Sequence, residues 1–547
     1  MIEGVIFDFD NTIYDYNKVN NLCLDILFKK FKENHNISID RIQNIFNKIN
    51  KDIKQSNNYS NKFNKAIYIK YLLENLNISY TYFNSYLEIY NDTFIDNIKI
   101  FDNFEKLLIL LKNYNIKIGL HTNNIFIQQI NKLDKLNITK YFDIIYTSSE
   151  DGNEKPNYNI FINMISKMNI KPENLIYIGD DFLNDIEPLQ KLNILGFQFM
   201  NNNEHIAVSD KYIKFGNYEI LYDFFDEYFK KTDEVIFLNK YFGQSILNIQ
   251  GQGGNISIKL NKNLMLIKSS GTILGNTSYN SGYCIINNDL CNDFLNNNID
   301  TINKTKLFGF GNPSIETYFH SFMKKYTIHL HFTLSNIFLC SNKKDILNDL
   351  NIKFKIIDYE IPGINLARLI KDNYDENIDV YFLKNHGLII TSDNLLQLME
   401  YYKIIFDYFD NKLNKSYSEE YACFNINKRI YDKFNKHIVC TIYKNYKNYK
   451  NIKFIKNIKY CFPDLAVYIN KIIIIDNLDD IVNLDCVPDI IIFNELIFVI
   501  GTNLTKLYSI IETLDAYFEI CLNYDELTEI NKNIIENMEQ EKIRKIN

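Results

Sequence analysis

The chain has eight histidines, and three of them fall within residues 314–332, SIETYFHSFMKKYTIHLHF. A helix beginning near Pro313 and Ser314 places Glu316 and His320 four residues apart on one face. YTIHLHF then alternates as a strand does, so His329 and His331 point to the same side. Further on, DVYFLKNHGLII sets His386 between two apolar, strand-like runs. Three neutral imidazoles suit Zn2+ or another borderline divalent metal and leave a position open for substrate. A second chemical group opens the chain. In GVIFDFDN an apolar run delivers Asp8 and Asp10, and alternation along a strand or its extended end puts both on one side. Two acids that close repel unless a cation or a proton lies between them.

Later segments add to each group. KIGLHTNN is a strand-like run ending in Thr122 and Asn123, GNEKPNYNIF offers Lys155 ahead of a helical pattern, and NLIYIGDDFLNDIEP releases Asp180, Asp181 and Asp185 from another apolar strand. A hard divalent cation such as Mg2+ suits oxygen ligands from Asp8, Asp10 and Asp180. In GQGGNISIKL and NLMLIKSSG, glycines precede or close short strands. Backbone amides near Gly254 and Gly271, together with Asn255 and Ser270, form a nest suited to an anion such as phosphate.

These residues need elements to hold them. Strand-like and helical patterns alternate through roughly residues 100–200, as in an open parallel sheet whose ligands sit at the carboxyl ends of the strands. Residues 16–92 interrupt that layout with helix-like runs such as NLCLDILFKKFKE and AIYIKYLLENL. After residue 215 the texture changes to one or more helices and then short strands, and beyond about 430 apolar runs recur (HIVCTIY, DLAVYINKIIIID, DIIIFNELIFVIG) before a long helical pattern. The expectation is a multidomain α/β protein. It has a Rossmann-like parallel sheet with a helical insertion over residues 1–215, a second α/β domain over 216–430 and a small α/β extension over 431–547.

On these motifs the first 215 residues resemble a haloacid-dehalogenase-type phosphatase, with that family's four motifs present in order. The resemblance implies that Asp8 is the nucleophile forming an aspartyl-phosphate and that Asp10 is the general acid and base. It also implies that Thr122, Asn123 and Lys155 hold the phosphoryl oxygens, that Asp8, Asp10 and Asp180 bind Mg2+, and that Asp185 supports the metal. The helical insertion resembles the cap that selects the leaving group. Residues 225–430 resemble the class II aldolase and adducin-type family through GQGGNIS, IKSSGTIL, PSIET followed by His320, HLHF and KNHGLII. That resemblance implies a catalytic Zn2+ on His329, His331 and His386, Glu316 as acid and base, and a substrate phosphate cradled by Asn255, Ser270, Gly271 and Ser314. It further implies a cyclic homo-oligomer, such as a tetramer, with active sites at subunit boundaries.

The joint expectation is a bifunctional sugar-phosphate enzyme, an Mg2+-dependent phosphatase fused to a Zn2+-dependent aldolase that cleaves or forms a ketose 1-phosphate. Two alternatives stay open: a phosphatase fused to a dehydratase of the methylthioribulose-phosphate type, and a non-catalytic, adducin-like interaction module. A formal charge of -7 spread along 547 residues leaves no basic footprint for nucleic acid. Nine scattered cysteines give no paired spacing, and no apolar run reaches the roughly 20 residues that span a membrane. The acidic start lacks the layout of a signal peptide, and a cytoplasmic protein is expected.

Overall fold

The computed structural model describes residues 2–523 apart from 56–61, 63, 151, 202–205, 210–211, 246, 341–346, 413–418, 444–454, 456–457 and 462. Among the described residues the fold is α/β, built on three sheets. The chain divides into two compact units, Met1–Phe229 with Leu307–Gly309, and Lys230–Lys306 with Phe310–Asn547. Among the described residues no helix is long and apolar enough to cross a membrane.

The first sheet holds β1 (Gly4–Phe7), β2 (Lys117–Thr122), β3 (Ile144–Thr147), β4 (Leu175–Gly179), β5 (Leu195–Phe199), β6 (Ala207–Val208) and β7 (Tyr212–Phe215) in the order β3-β2-β1-β4-β5-β7-β6. Its pairings are parallel except that of β6 with β7. β1 lies in the middle, and Val5, Ile6 and Phe7 are buried, which is why the run carries no polar residue. Phe7 pairs with Leu120 on one side and Ile178 on the other. The ends of β1, β2 and β4 therefore release Asp8, Thr122 and Asp180 along one edge. The strand order reverses there, between β1 and β4, and open sheets bind ligands at such a point.

Between β1 and β2 the chain forms α1 (Tyr16–His35), α2 (Ile39–Gln55), α3 (Lys65–Leu76) and α4 (Phe83–Asn97), followed by α5 (Phe104–Asn113). Their apolar stripes meet in a small core of their own, in which Phe31 stacks on Tyr86 at 3.9 Å between centroids and Phe28 meets the edge of Phe46. After β2 comes α6 (Phe126–Lys135), and after β3 comes α7 (Tyr158–Met168). The helices α1, α3 and α7 end on Asn36, Asn77 and Asn169, each in the left-handed region. Among the described non-glycine residues with positive φ, all but Glu495 are asparagines.

The second sheet has eight strands. They are β8 (Asn255–Lys259), β9 (Leu264–Lys268), β10 (Tyr283–Asn287), β11 (Lys306–Gly309), β12 (Tyr326–Leu330), β13 (Phe354–Ile357), β14 (Val380–Leu383) and β15 (Gly387–Ser392), in the order β11-β10-β9-β8-β12-β15-β14-β13. From β10 to β14 the neighbours run antiparallel, and β13 joins β14 in parallel. His329 pairs with Asn255 on β8 and with Ile389 on β15, so His329 and Asn255 share one face of the sheet. The expected helix over 313–320 begins later, with Glu316 as the N-cap of Thr317–Phe322, and the side chains of Glu316 and His320 both meet Asn255.

The third sheet, β16 (Val439–Ile442), β17 (Ile472–Ile474), β18 (Ile490–Phe493) and β19 (Leu496–Gly501), runs β16-β19-β18-β17. Alternate residues serve opposite faces. Val439, Ile490, Ile492 and Val499 pack under the helices Pro463–Tyr468 and Leu504–Asn523, whereas Cys440, Ile491 and Phe498 pack with Ile426 and Ile430 of Glu419–Phe434. Two covered faces explain why these strands read as unbroken apolar runs.

Gly387 opens β15 directly after His386, and a Cβ there would lie 2.1 Å from the carbonyl oxygen of Leu330. Backbone cannot yield as a side-chain tip does. We expect Gly387→Ala to destabilise the protein by about 1–3 kcal/mol, read as a lower denaturation midpoint at unchanged slope.

Candidate active sites

At the edge where β1, β2 and β4 end, Asp8, Lys155 and Asp185 are all buried. The Lys155 ammonium lies between the two acids, with Nζ 2.6 Å from Asp8 Oδ1 and 2.6 Å from Asp185 Oδ1, and it donates to the Tyr177 hydroxyl at 3.2 Å. Thr12 Oγ1 donates to Asp8 Oδ2 at 3.0 Å and to Asp180 Oδ1 at 3.2 Å, tying two strand ends together. Asp8, Asp180 and Asp185 each offer a carboxylate oxygen within 4.8 Å of the others. Burial pushes Asp8 well above the usual carboxylate range, and Lys155 only partly opposes it. Burial and then Asp185 raise Asp180 to about 7. Three carboxylates share one ammonium, and the charge left over fits a hard dication held by oxygen ligands.

Asp10 faces elsewhere. β1 ends at Phe7 and Asn11 turns the chain with φ 64°, so the alternation expected to hold Asp8 and Asp10 on one side does not continue. The Asp10 carboxylate lies 2.9 Å from Lys132 Nζ, accepts from Gln129 Nε2 at 3.2 Å and from the Tyr14 hydroxyl, and is outside the three-acid group. Burial acts to raise it, but Lys132, Tyr14 and Gln129 together hold it below the ordinary carboxylate value. Thr122 Oγ1 accepts from Gln129 Nε2 at 2.8 Å. Asn123 joins the backbone of Lys155 in both directions, donating to its carbonyl at 3.2 Å and accepting from its N–H at 2.8 Å. Lys132, Gln129 and Tyr14 were not picked out from the sequence. A signal existed for two of them, since Gln129 and Lys132 are three residues apart and share one face of α6.

In the second sheet, Glu316, His329, His331 and His386 each present a ligand atom within 4.8 Å of the rest. The imidazole centroids are 4.8–5.2 Å apart. Glu316 Oε1 is 3.0 Å from His386 Nε2 and 3.6 Å from His329 Nε2. His329 Nδ1 meets the Leu388 carbonyl at 3.2 Å, which fixes its tautomer and turns Nε2 toward the cluster. Among the described residues, the buried nitrogens His329 Nε2 and His331 Nε2 have no hydrogen-bond partner, and His386 faces the acid through Nε2. Burial brings His329 down to about 3, and burial and then His386 lower His331, so these rings are neutral as ligands must be. Orphaned imidazole nitrogens around one carboxylate fit a borderline divalent cation such as Zn2+.

Glu316 is itself held. Asn255 Nδ2 donates to Glu316 Oε2 at 2.7 Å and Asn255 Oδ1 meets His320 Nε2, while His320 Nδ1 meets Ser257 Oγ at 2.7 Å. Burial acts to raise Glu316, but its pairing with His329 and His386 lowers it below the ordinary carboxylate value. His320 is therefore a positioning residue for Asn255, a part the sequence did not reveal, and Asn255 is engaged with the acid. Ser314 Oγ lies 3.4 Å from Asn255 Nδ2. Ser270 and Gly271 are exposed at the end of β9, Gly271 with φ 75°. Gly254 has φ 64°, and a Cβ there would lie 2.8 Å from the carbonyl oxygen of His329, so glycine lets this turn approach the histidine strand.

Residues 5–196 match the haloacid dehalogenase-like hydrolase family, and residues 234–406 match the class II aldolase and adducin N-terminal domain. The first part of the chain belongs to the haloacid dehalogenase-like hydrolase family, and the second carries a class II aldolase-like domain. Its first part is similar to a glyceraldehyde 3-phosphate phosphatase of Methanothermobacter thermautotrophicus, 32% identical over 34% of this chain and 80% of that one. A protein of the same name from Methanocaldococcus jannaschii is 28% identical over 39% of this chain and 91% of that one. The second part is similar to the N-terminal class II aldolase domain of a conserved Thermoplasma acidophilum protein, 22% identical over 33% of this chain and 92% of that one, with a TM-score of 0.30. An N-terminal hydrolase domain of the phosphatase type is thus fused to a class II aldolase-like domain with a candidate metal-binding cluster. Membership in these families supports hydrolase and lyase activity in general.

Two outcomes test the electrostatics. Lys155→Met leaves Asp8 and Asp185 buried without their cation, and we expect a loss of about 3–5 kcal/mol in denaturation, partly recovered by adding Asp185→Asn. For the aldolase-like domain, we expect protein dialysed against Zn2+ and then washed to retain bound metal by elemental analysis and to melt higher than the apo form, and His329→Ala and His386→Ala to abolish both effects.

Proposed function

We propose that the protein is a bifunctional sugar-phosphate enzyme: a Mg2+-dependent phosphatase over residues 1–215, with a helical cap over 16–92, joined to a metal-dependent aldolase over 216–430 acting on a ketose 1-phosphate. The described residues of 431–523 form a further α/β extension. The observation that carries this reading is that both segments possess a full charged cluster, three carboxylates about Lys155 and three imidazoles about Glu316.

In the phosphatase, Asp8 is the nucleophile, aimed by Thr12 and Lys155. Its oxygen attacks phosphorus, the ester oxygen leaves with a proton given by Asp10, and water then cleaves the aspartyl-phosphate, its proton going back to the ionised Asp10. Asp10, held ionised by Lys132, is suited to take the proton of that water. Lys155 and the hydroxyl of Thr122 offset the charge of the phosphoryl oxygens. Asp8, Asp180 and Asp185 would hold Mg2+, which supplies further positive charge at the phosphoryl group. The named substrate of the two relatives, glyceraldehyde 3-phosphate, supports a small sugar phosphate here as well.

In the aldolase, His329, His331 and His386 would hold Zn2+, which polarises a substrate carbonyl when bound. Glu316 is a buried, ionised carboxylate with Oε2 fixed by Asn255, so its proton-accepting atom is Oε1. It moves the proton at the carbon next to that carbonyl, and His320 keeps Asn255 in place throughout. Ser270, Gly271 and Ser314 offer donors for the substrate phosphate.

The test uses Asp8→Asn protein loaded with Zn2+, so that phosphate release does not obscure the second activity, and follows proton exchange of dihydroxyacetone phosphate in heavy water by NMR. Exchange is expected, and adding Glu316→Ala should lower its rate by about 100-fold or more. No exchange in folded, metal-loaded protein would overturn the aldolase assignment. The unaltered phosphatase site is tested by Mg2+-dependent phosphate release from glyceraldehyde 3-phosphate, which Asp8→Asn should abolish.

A further inference from the structure

The four-helix insertion leaves a cavity of about 210 Å3 against α6, whose lining includes Tyr16, Asn64, Lys65, Tyr90, Asn124 and Lys132. It adjoins the phosphatase centre, because Lys132 also lies 2.9 Å from Asp10. The two ammonium groups share an aromatic wall. Lys132 Nζ is 5.4 Å and Lys65 Nζ 5.9 Å from the ring centroid of Tyr16. Lys65 is also 4.9 Å from the ring of Tyr68 and 5.8 Å from that of Tyr90.

Ring faces attract a cation but do not neutralise it. Lys132 has its counter-charge in Asp10. Among the described residues, Lys65 has no carboxylate within ion-pair distance, and the acid that acts on it from further off is the same Asp10. Burial, and after it Lys132 and Lys54, bring Lys65 down to about 8, which registers how poorly its charge is answered. Asn64 and Asn124 use their side-chain oxygens on the N–H groups of Ala66 and Ile125, leaving amide N–H groups as their donors. Two ammoniums, amide donors and one carboxylate already taken make a recess short of negative charge.

We propose that this cavity is a subsite for a second anionic group, a carboxylate or a second phosphate, on the leaving-group side of the phosphatase substrate, with Lys65 as the residue that selects it. The inference rests on the phosphatase reading. The phosphoryl group lies at Asp8 and Lys155, the ester oxygen faces Asp10, and the remainder of the molecule extends past Lys132 toward Lys65. The substrate class is then a phosphorylated sugar acid or a sugar bisphosphate.

The test measures binding, so that it does not depend on turnover. Asp8→Asn protein with Mg2+ is titrated calorimetrically with phosphoglycerate against glycerol phosphate, and with propanediol bisphosphate against hydroxypropyl phosphate. In at least one pair the doubly anionic member should bind about tenfold tighter, the size of one charge-assisted hydrogen bond. The pair that shows the preference tells carboxylate from phosphate. Lys65→Met should remove the preference while leaving unchanged the affinity of the member with one anionic group, and Lys65→Arg should retain most of it, which separates loss of charge from loss of fold. Equal binding within both pairs, or a preference that survives Lys65→Met, overturns the proposal. Failure of every ligand to bind overturns it too. Turnover of p-nitrophenyl phosphate by the protein with Asp8 intact, run alongside, shows whether the phosphatase reading survives that outcome.

Discussion

Charge placed out of water must be answered nearby, and the first site is arranged around that constraint. Lys155 meets Asp8 and Asp185 at 2.6 Å each, with all three buried. An ammonium there without its acids, or the acids without the ammonium, would carry a large desolvation cost. The strand order supports the arrangement by ending β1 and β4 side by side, and Thr12 joins them. The second site inverts the pattern, with one carboxylate among three imidazoles and burial keeping the ring of His329 neutral. One centre has an excess of acid and the other an excess of uncharged nitrogen, which is why the first suits a hard cation and the second a borderline one.

Much of this was legible in the sequence where chemistry and period coincide. The apolar runs ending in Asp8 and Asp180 read as parallel strands, and the alternation of HLHF placed His329 and His331 together, because a strand leaves a side chain only two directions. What stayed hidden depends on where elements stop. Asp10 lies two residues beyond Asp8, but β1 ends before either, and the turn at Asn11 sends Asp10 to Lys132. The helix near Glu316 starts three residues after Ser314, so Glu316 is its N-cap, and its contact with His386, seventy residues on, has no local mark. The glycine-rich neighbourhood of Asn255 suits a phosphate donor, whereas its partners, Glu316 and His320, come from a segment some sixty residues on. Partnerships over such separations leave no local trace in one sequence.

The C-terminal sheet shows the opposite case, in which a weak sequence signal conceals an ordinary fold. Its strands alternate between two apolar faces, each covered by helices, so no polar periodicity marks them. Only the length of the runs and the helical patterns between them identify an α/β layer.

The asparagines at left-handed positions bear on the chain before it folds. A glycine in those turns would leave the unfolded backbone with more conformations to lose, whereas asparagine tolerates positive φ and restricts the coil. With 18 glycines in 547 residues, the protein ends helices such as α1, α3 and α7 on a residue that is costlier in the native state and less free in the denatured one. Part of what keeps it folded therefore resides in the poverty of its disordered ensemble and would escape any inventory of native contacts.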